Sequence, residues 1–118
     1  MGIQERKERQ RKELREKIIQ AATQLFLEHG YQETSIRMIA QHIEYSPTTI
    51  YLHFQDKDEL FYEIMDRAFA LFFNYLSQKT HIKDPLERLK AMNYAYMDFA
   101  LEQSAYYDLM FVIKDPMR

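Results

Sequence analysis

The stretch Thr34-Ser35-Ile36-Arg37-Met38-Ile39-Ala40-Gln41-His42-Ile43-Glu44-Tyr45-Ser46-Pro47-Thr48-Thr49-Ile50-Tyr51-Leu52-His53-Phe54 decides the fold. It opens on two hydroxyl residues, either of which suits a helix N-cap. Ile36, Ile39, Ala40 and Ile43 follow at i, i+3, i+4 and i+7, the spacing of one helix face. Glu44-Tyr45 leaves only a tight connection before Ser46, a second cap. Pro47 then occupies a first helical position, where its missing N–H would have had no helical partner anyway. The next helix, expected over residues 47–54, is about two turns long with Ile50 and Phe54 facing inward.

Upstream, Leu14, Ile18, Ala21, Ala22, Leu25 and Phe26 keep helical spacing over more than three turns. This first helix is expected to run from a charged arm to about His29, with Gly30 supplying the left-handed position that ends it. Downstream, Asp56 caps a long fourth helix reaching about Gln78, and Glu59 stands where a capping box places it. Its apolar residues cover so much of the circumference that it must pack on more than one side. Asp84-Pro85-Leu86-Glu87 repeats the start signal for a fifth helix, which carries Leu86, Leu89, Met92, Tyr96, Phe99 and Ala100 and ends near Gln103. Residues 105–113 are apolar enough for a sixth, buried helix.

Composition agrees. With two Gly and three Pro in 118 residues, a sheet protein would lack turn formers, so the fold class is all-α. The absence of cysteine removes disulfide frameworks and thiolate chemistry, and fits a reducing cytoplasm. No apolar run approaches the length of a membrane span, and the charged N-terminus lacks the apolar core of a secretory signal. The net charge of −2 hides an asymmetry: residues 1–17 carry seven Lys/Arg against four Glu, whereas residues 58–118 carry seven against ten Asp/Glu. A basic end on an acidic chain is the footprint of an arm meeting an anionic partner, although Glu–Arg and Glu–Lys pairing along a solvated helix explains the same charges.

Two short helices joined tightly behind a longer one form a helix-turn-helix arrangement, in which the second short helix is narrow enough to enter a major groove. With Ile50 and Phe54 assigned to the core, Thr48, Thr49, Tyr51, Leu52 and His53 remain on or near the surface, with no carboxylate among them to repel phosphate. Lys57, at the start of the fourth helix, can share a phosphate with the free backbone N–H groups there. Each residue also has a plain reading as solvated helix surface, and His42 fits that reading best. Catalytic constellations are missing: no Glu-x-x-His or His-Glu-x-x-His occurs, and the histidines stand apart at 29, 42, 53 and 81. No enzyme activity, catalytic residue, metal or cofactor is expected. The competing reading is a helical protein-interaction module without DNA binding.

Three stretches together are specific: Ala21-Ala22-Thr23-Gln24-Leu25-Phe26 with Gly30-Tyr31, the run over residues 34–40, and residues 46–54 with Lys57-Asp58-Glu59-Leu60. Over about residues 14–65 they resemble the N-terminal domain of the tetracycline-repressor (TetR) family. The resemblance implies a bacterial transcription regulator, most often a repressor. Such a protein binds double-stranded DNA at a pseudo-palindromic operator as a homodimer, and is released by a small-molecule effector in a C-terminal helical domain. It implies phosphate contacts from Tyr51, His53 and Lys57, base-facing Thr48 and Thr49, and Thr34, Ser35 and Arg37 at the groove edge, with Ser46 counted in the same DNA-binding set. The fourth helix would relay effector binding to the third. Among the later aromatics, Phe69, Phe72, Phe73, Tyr96 and Phe99 are candidate effector contacts, although such a stripe is more often simply core. The expected division is residues 1–57 as DNA-binding domain with its basic arm, and 58–118 as connecting helix and a cut-short start of the ligand-binding and dimerisation domain. Two positions depart from the family pattern: Glu44 stands where a turn glycine is usual, and Leu52 where an aromatic is frequent.

Overall fold

A computed structural model describes residues 2–112. Among them every regular element is helical: α1 (Gly2–Glu33), α2 (Ile36–His42), α3 (Pro47–Tyr51), α4 (Lys57–Ser77), α5 (Pro85–Glu102), α6 (Ser104–Tyr107) and a π-helical turn over Asp108–Val112. The chain divides into two compact units, one ending at Tyr62 and the other starting at Glu63, so α4 gives its first turns to one and the rest to the other.

In the first unit, α1 lays Ile18, Ile19, Ala21, Ala22, Leu25 and Phe26 into the core, where Ile36, Ile39 and Ala40 of α2, Ile50 of α3, and Phe54, Leu60 and Phe61 are also buried. Phe26, Tyr31 and Phe61 form an aromatic triad with ring centroids 5.1–5.7 Å apart, tying the end of α1 to the start of α4. Gly30 interrupts α1 with φ 81° and ψ 168°; the positive φ is the one expected, but the extended ψ turns the chain into a further short helical stretch, residues 31–33, instead of ending the helix outright.

That break is closed by polar contacts. Thr34 is fully buried, and its hydroxyl lies 2.7 Å from the Gly30 carbonyl and 3.0 Å from that of Leu25, sharing one proton between them. Ser35, not Thr34, is therefore the N-cap of α2, accepting from the Met38 N–H at 3.1 Å.

The connection from α2 to α3 is a Schellman turn: the Glu44 N–H donates to Gln41 O and the Tyr45 N–H to Ala40 O. Glu44 adopts φ 62°, a left-handed conformation that costs an L-residue roughly 1 kcal/mol or more. Ser46 caps α3, with its Oγ accepting from the Thr49 N–H. Regular α-helix stops at Tyr51, a turn before the expected end, because the His53 and Phe54 N–H groups both converge on the Ile50 carbonyl and tighten the last turn.

The second unit holds the remainder of α4 with α5, α6 and the π-helical turn. Asp84 caps α5 through the Glu87 N–H, as expected, and Asp56 does the same for α4 through the Glu59 N–H. Phe99 is fully buried beside Phe72 and Tyr75, and a second ring set joins Phe72, Tyr96, Tyr107 and Phe111. The expectation of a buried sixth helix is corrected: of α6 and the π-helical turn only Leu109 is buried, while Phe111 and Val112 are exposed. Residue 113 of that segment lies outside the described residues. Leu86 and Leu89 of α5, and Phe69 and Phe73 of α4, are likewise on the surface.

Two outcomes test this account. Thr34→Val keeps the shape but removes the shared proton, and should lower unfolding stability by about 1–2 kcal/mol in urea titration; an unchanged midpoint would show that the hydroxyl holds nothing. Glu44→Gly relieves the left-handed strain against some loss of chain stiffness, and should raise stability by up to about 1 kcal/mol. A lower midpoint would contradict the strain.

Candidate nucleic-acid interface

Helix α3 is pinned from below by Ile50 and by Phe54 just after it, both essentially inaccessible. What the pinning leaves outside is Ser46, Pro47, Thr48, Tyr51 and Leu52, with Thr49 and His53 half-buried. Leu52 is 79% exposed and Tyr51 52%, values that mark side chains projecting from the unit rather than packing on it. The Thr49 hydroxyl lies 3.2 Å from Ser46 Oγ, so these two partly satisfy each other at the helix start, whereas Thr48 projects outward. Ser35 and Arg37 lie exposed at the start of α2.

Two of the residues singled out from the sequence are held from inside the fold. The Thr34 side chain has no exposed surface, and its hydroxyl serves the α1 break. The Lys57 ammonium donates to the Tyr31 carbonyl at 2.7 Å and to the Thr34 carbonyl at 2.9 Å, and stands 4.1 Å from the centre of the Tyr31 ring. Burial lowers the Lys57 pKa from its ordinary value, with Glu33 pulling in the opposite direction. Thr34 and Lys57 thus meet at one place, the junction of α1, α2 and α4, and Lys57 links that junction to the α4 start.

His53 belongs to a different neighbourhood. It sits at the tightened end of α3, and burial lowers its pKa, helped by the positive charges of Arg15 and Arg11. The imidazole is therefore held toward its neutral form, able to donate one ring N–H without carrying charge. Arg15 lies with its guanidinium 4.4 Å over the Phe54 ring, linking α1 to the same place. The sequence places Arg15 only as one charge of the basic arm; nothing in its spacing signals contact with an aromatic ring 39 positions later.

The candidate effector residues fall in two groups. Phe72, Tyr96 and Phe99 are in ring contact, and Tyr96 Oη lies 3.1 Å from Tyr107 Oη. Phe69 and Phe73 are exposed on α4. Among the described residues no group of three His, Asp or Glu side chains is placed to hold a metal ion, and no helix is long and apolar enough to cross a membrane.

Known proteins place this arrangement. The pattern of the bacterial regulatory proteins of the tetR family matches residues 18–64. The HTH-type transcriptional regulator HbdR of Aromatoleum sp. (strain CIB) is 34% identical over 85 residues, covering 71% of this chain and 37% of that protein. An HTH-type transcriptional regulator of Staphylococcus aureus (strain USA300) is 33% identical over 91 residues, covering 77% of this chain and 45% of its own length. The crystal structure of the TetR family transcriptional regulator PfmR from Thermus thermophilus superposes with a TM-score of 0.71 at 30% identity, over 79% of this chain and 51% of that one. The chain thus spans less than half the length of these two sequence relatives. Helix order, the helix-turn-helix and the sequence match over residues 18–64 agree, and the chain belongs to the TetR family of bacterial regulatory proteins.

Proposed function

We propose that the first unit reads double-stranded DNA with α3 in the major groove, and that the protein represses transcription from a pseudo-palindromic operator. The observation that carries this reading is the surface of residues 46–53: hydroxyls, a phenol, an imidazole and an exposed leucine, presented on a pinned helix with no carboxylate. Thr48 faces base edges, Thr49 stands beside it at the helix start, and Leu52 can meet a thymine methyl. Tyr51 and the neutral His53 donate to phosphate oxygens, while Ser35, Arg37 and Ser46 line the groove edge. Two of the three Lys57 protons are committed to carbonyls, which leaves one for a phosphate and makes Lys57 both a brace and a contact. Thr34 acts through the frame that aims these groups.

In the complete protein, two copies read two half-sites separated by about a helical turn of DNA or a multiple of it. We further propose a small-molecule effector bound in the second unit, with Phe72, Tyr96 and Phe99, which share one ring cluster, as contacts, and Phe69 and Phe73 on α4 as further contacts. The domain division proposed is residues 1–57 for DNA and 58–118 for the connecting helix and effector part.

Selection from a random duplex library at low salt tests this reading, with the chain also fused to a dimerising coiled coil to supply two half-site readers. Enrichment of an inverted repeat by the wild-type fusion and its loss in Thr48→Ala/Tyr51→Ala is the expected result. A flat library from the wild-type fusion would overturn the DNA-reading assignment.

A further inference from the structure

The surface presented by α3 is defined by the side chains it lacks. From Tyr45 to Phe54 the chain has no Arg, Lys, Asn, Gln, Asp or Glu. Those are the residues that name a base by hydrogen bonding: Arg or Lys at guanine, Asn or Gln at adenine, a carboxylate at the cytosine amino group. Arg37, at the start of α2, and Gln55, after Phe54, are exposed but stand outside α3. The hydroxyls at the helix start are partly committed to each other. Thr49 Oγ1 lies 3.2 Å from Ser46 Oγ, which also accepts the Thr49 N–H.

What α3 offers instead is apolar. Leu52, 79% exposed, is the most exposed large apolar side chain among the described residues. Its N–H closes on the Thr48 carbonyl at 3.2 Å, one helical turn back, so Thr48 and Leu52 stand one above the other on a single face. Thr48 is exposed too, and carries a methyl beside its hydroxyl. The two positions are about 6 Å apart along the axis, which reaches two neighbouring base pairs stacked about 3.4 Å apart. Ile50 and Phe54, fixed in the core, keep the helix from rotating to bury Leu52. In a major groove the apolar group available to such a face is the thymine 5-methyl. Placed over cytosine, leucine would strip water from an amino donor and supply no acceptor in return.

We propose that the centre of each half-site is a pair of neighbouring A·T base pairs selected by their thymine methyl groups, one against Leu52 and the other against the Thr48 methyl. This rests on the DNA-reading assignment above and names the class of sequence that α3 takes. Discrimination then comes from burying methyls and from rejecting the cytosine amino group, not from a two-point hydrogen bond to guanine. A guanine contact, if Arg37 makes one, falls at the edge of the half-site and not at its centre.

The test starts from the duplex enriched in the random-library selection and remakes it with deoxyuridine for thymine at each position in turn, which removes one methyl and nothing else. Binding of the whole chain is compared with that of Leu52→Ala, Thr48→Ser and Tyr51→Ala; circular dichroism checks the fold of each. Two adjacent central positions are expected to lose about fourfold in affinity per methyl removed. Leu52→Ala should bind thymine and uracil equally at one of them, and Thr48→Ser, which keeps the hydroxyl, at the other. Tyr51→Ala should weaken every duplex and keep both uracil penalties. A selected half-site with G·C at its centre, or one where uracil replaces thymine without loss throughout, would overturn the methyl readout and leave α3 as the reader. Uracil penalties that persist undiminished in both Leu52→Ala and Thr48→Ser would assign the methyl effect to DNA shape and overturn it as well. Absence of any enriched duplex, for the chain and for its coiled-coil fusion, would remove the DNA-reading assignment together with this one.

Discussion

The break in α1 at Gly30 is the constraint around which the first unit is built. A helix that stops leaves carbonyls without intrahelical donors, and burying them unpaired costs roughly 1–3 kcal/mol each. Here the Thr34 hydroxyl takes the Leu25 and Gly30 carbonyls, and the Lys57 ammonium takes those of Tyr31 and Thr34. One donor comes from the segment entering α2 and the other from the first residue of α4. Satisfying the break therefore fixes how three helices leave a common point. The Phe26, Tyr31 and Phe61 rings fill the apolar side of the same junction.

From that junction the position of α3 follows. The Schellman turn at Glu44 is short, so α3 cannot drift from α2, and Ile50 and Phe54 lock it downward. Holding Glu44 left-handed carries local strain, and the same turn delivers Ser46 to cap α3. A five-residue helix has little stability of its own. Its rigidity comes from this frame, which suits a surface whose task is to present a few side chains at fixed spacing.

Much of this was legible in the sequence because caps and periodicity are local. Ser46-Pro47, Asp56 and Asp84-Pro85 mark their helix starts unambiguously, and the Ile36/Ile39/Ala40 row is core as its spacing says. Thr34 and Ser35 were equivalent as caps until tertiary contacts separated them, since only burial shows that the Thr34 hydroxyl faces the α1 carbonyls. The brace role of Lys57 bridges 26 and 23 positions, and no pattern of residue types announces such a contact. In the last segment, hydrophobicity alone suggested burial, but among the described residues Phe111 is only partly covered by neighbouring rings and Val112 is exposed. Which residues of α3 reach the surface was a matter of subtraction once Ile50 and Phe54 were core, whereas the roles proposed for them came from the family resemblance.

The central claim is that α3, held by the Gly30 junction, is the surface that meets DNA. Amide spectra of the isotope-labelled chain titrated with duplex DNA at low salt examine it residue by residue. The account predicts shifts concentrated at Ser35, Arg37 and residues 46–53, with the α5 amides unmoved. Shifts confined to residues 63–112, with α3 unchanged, would contradict it.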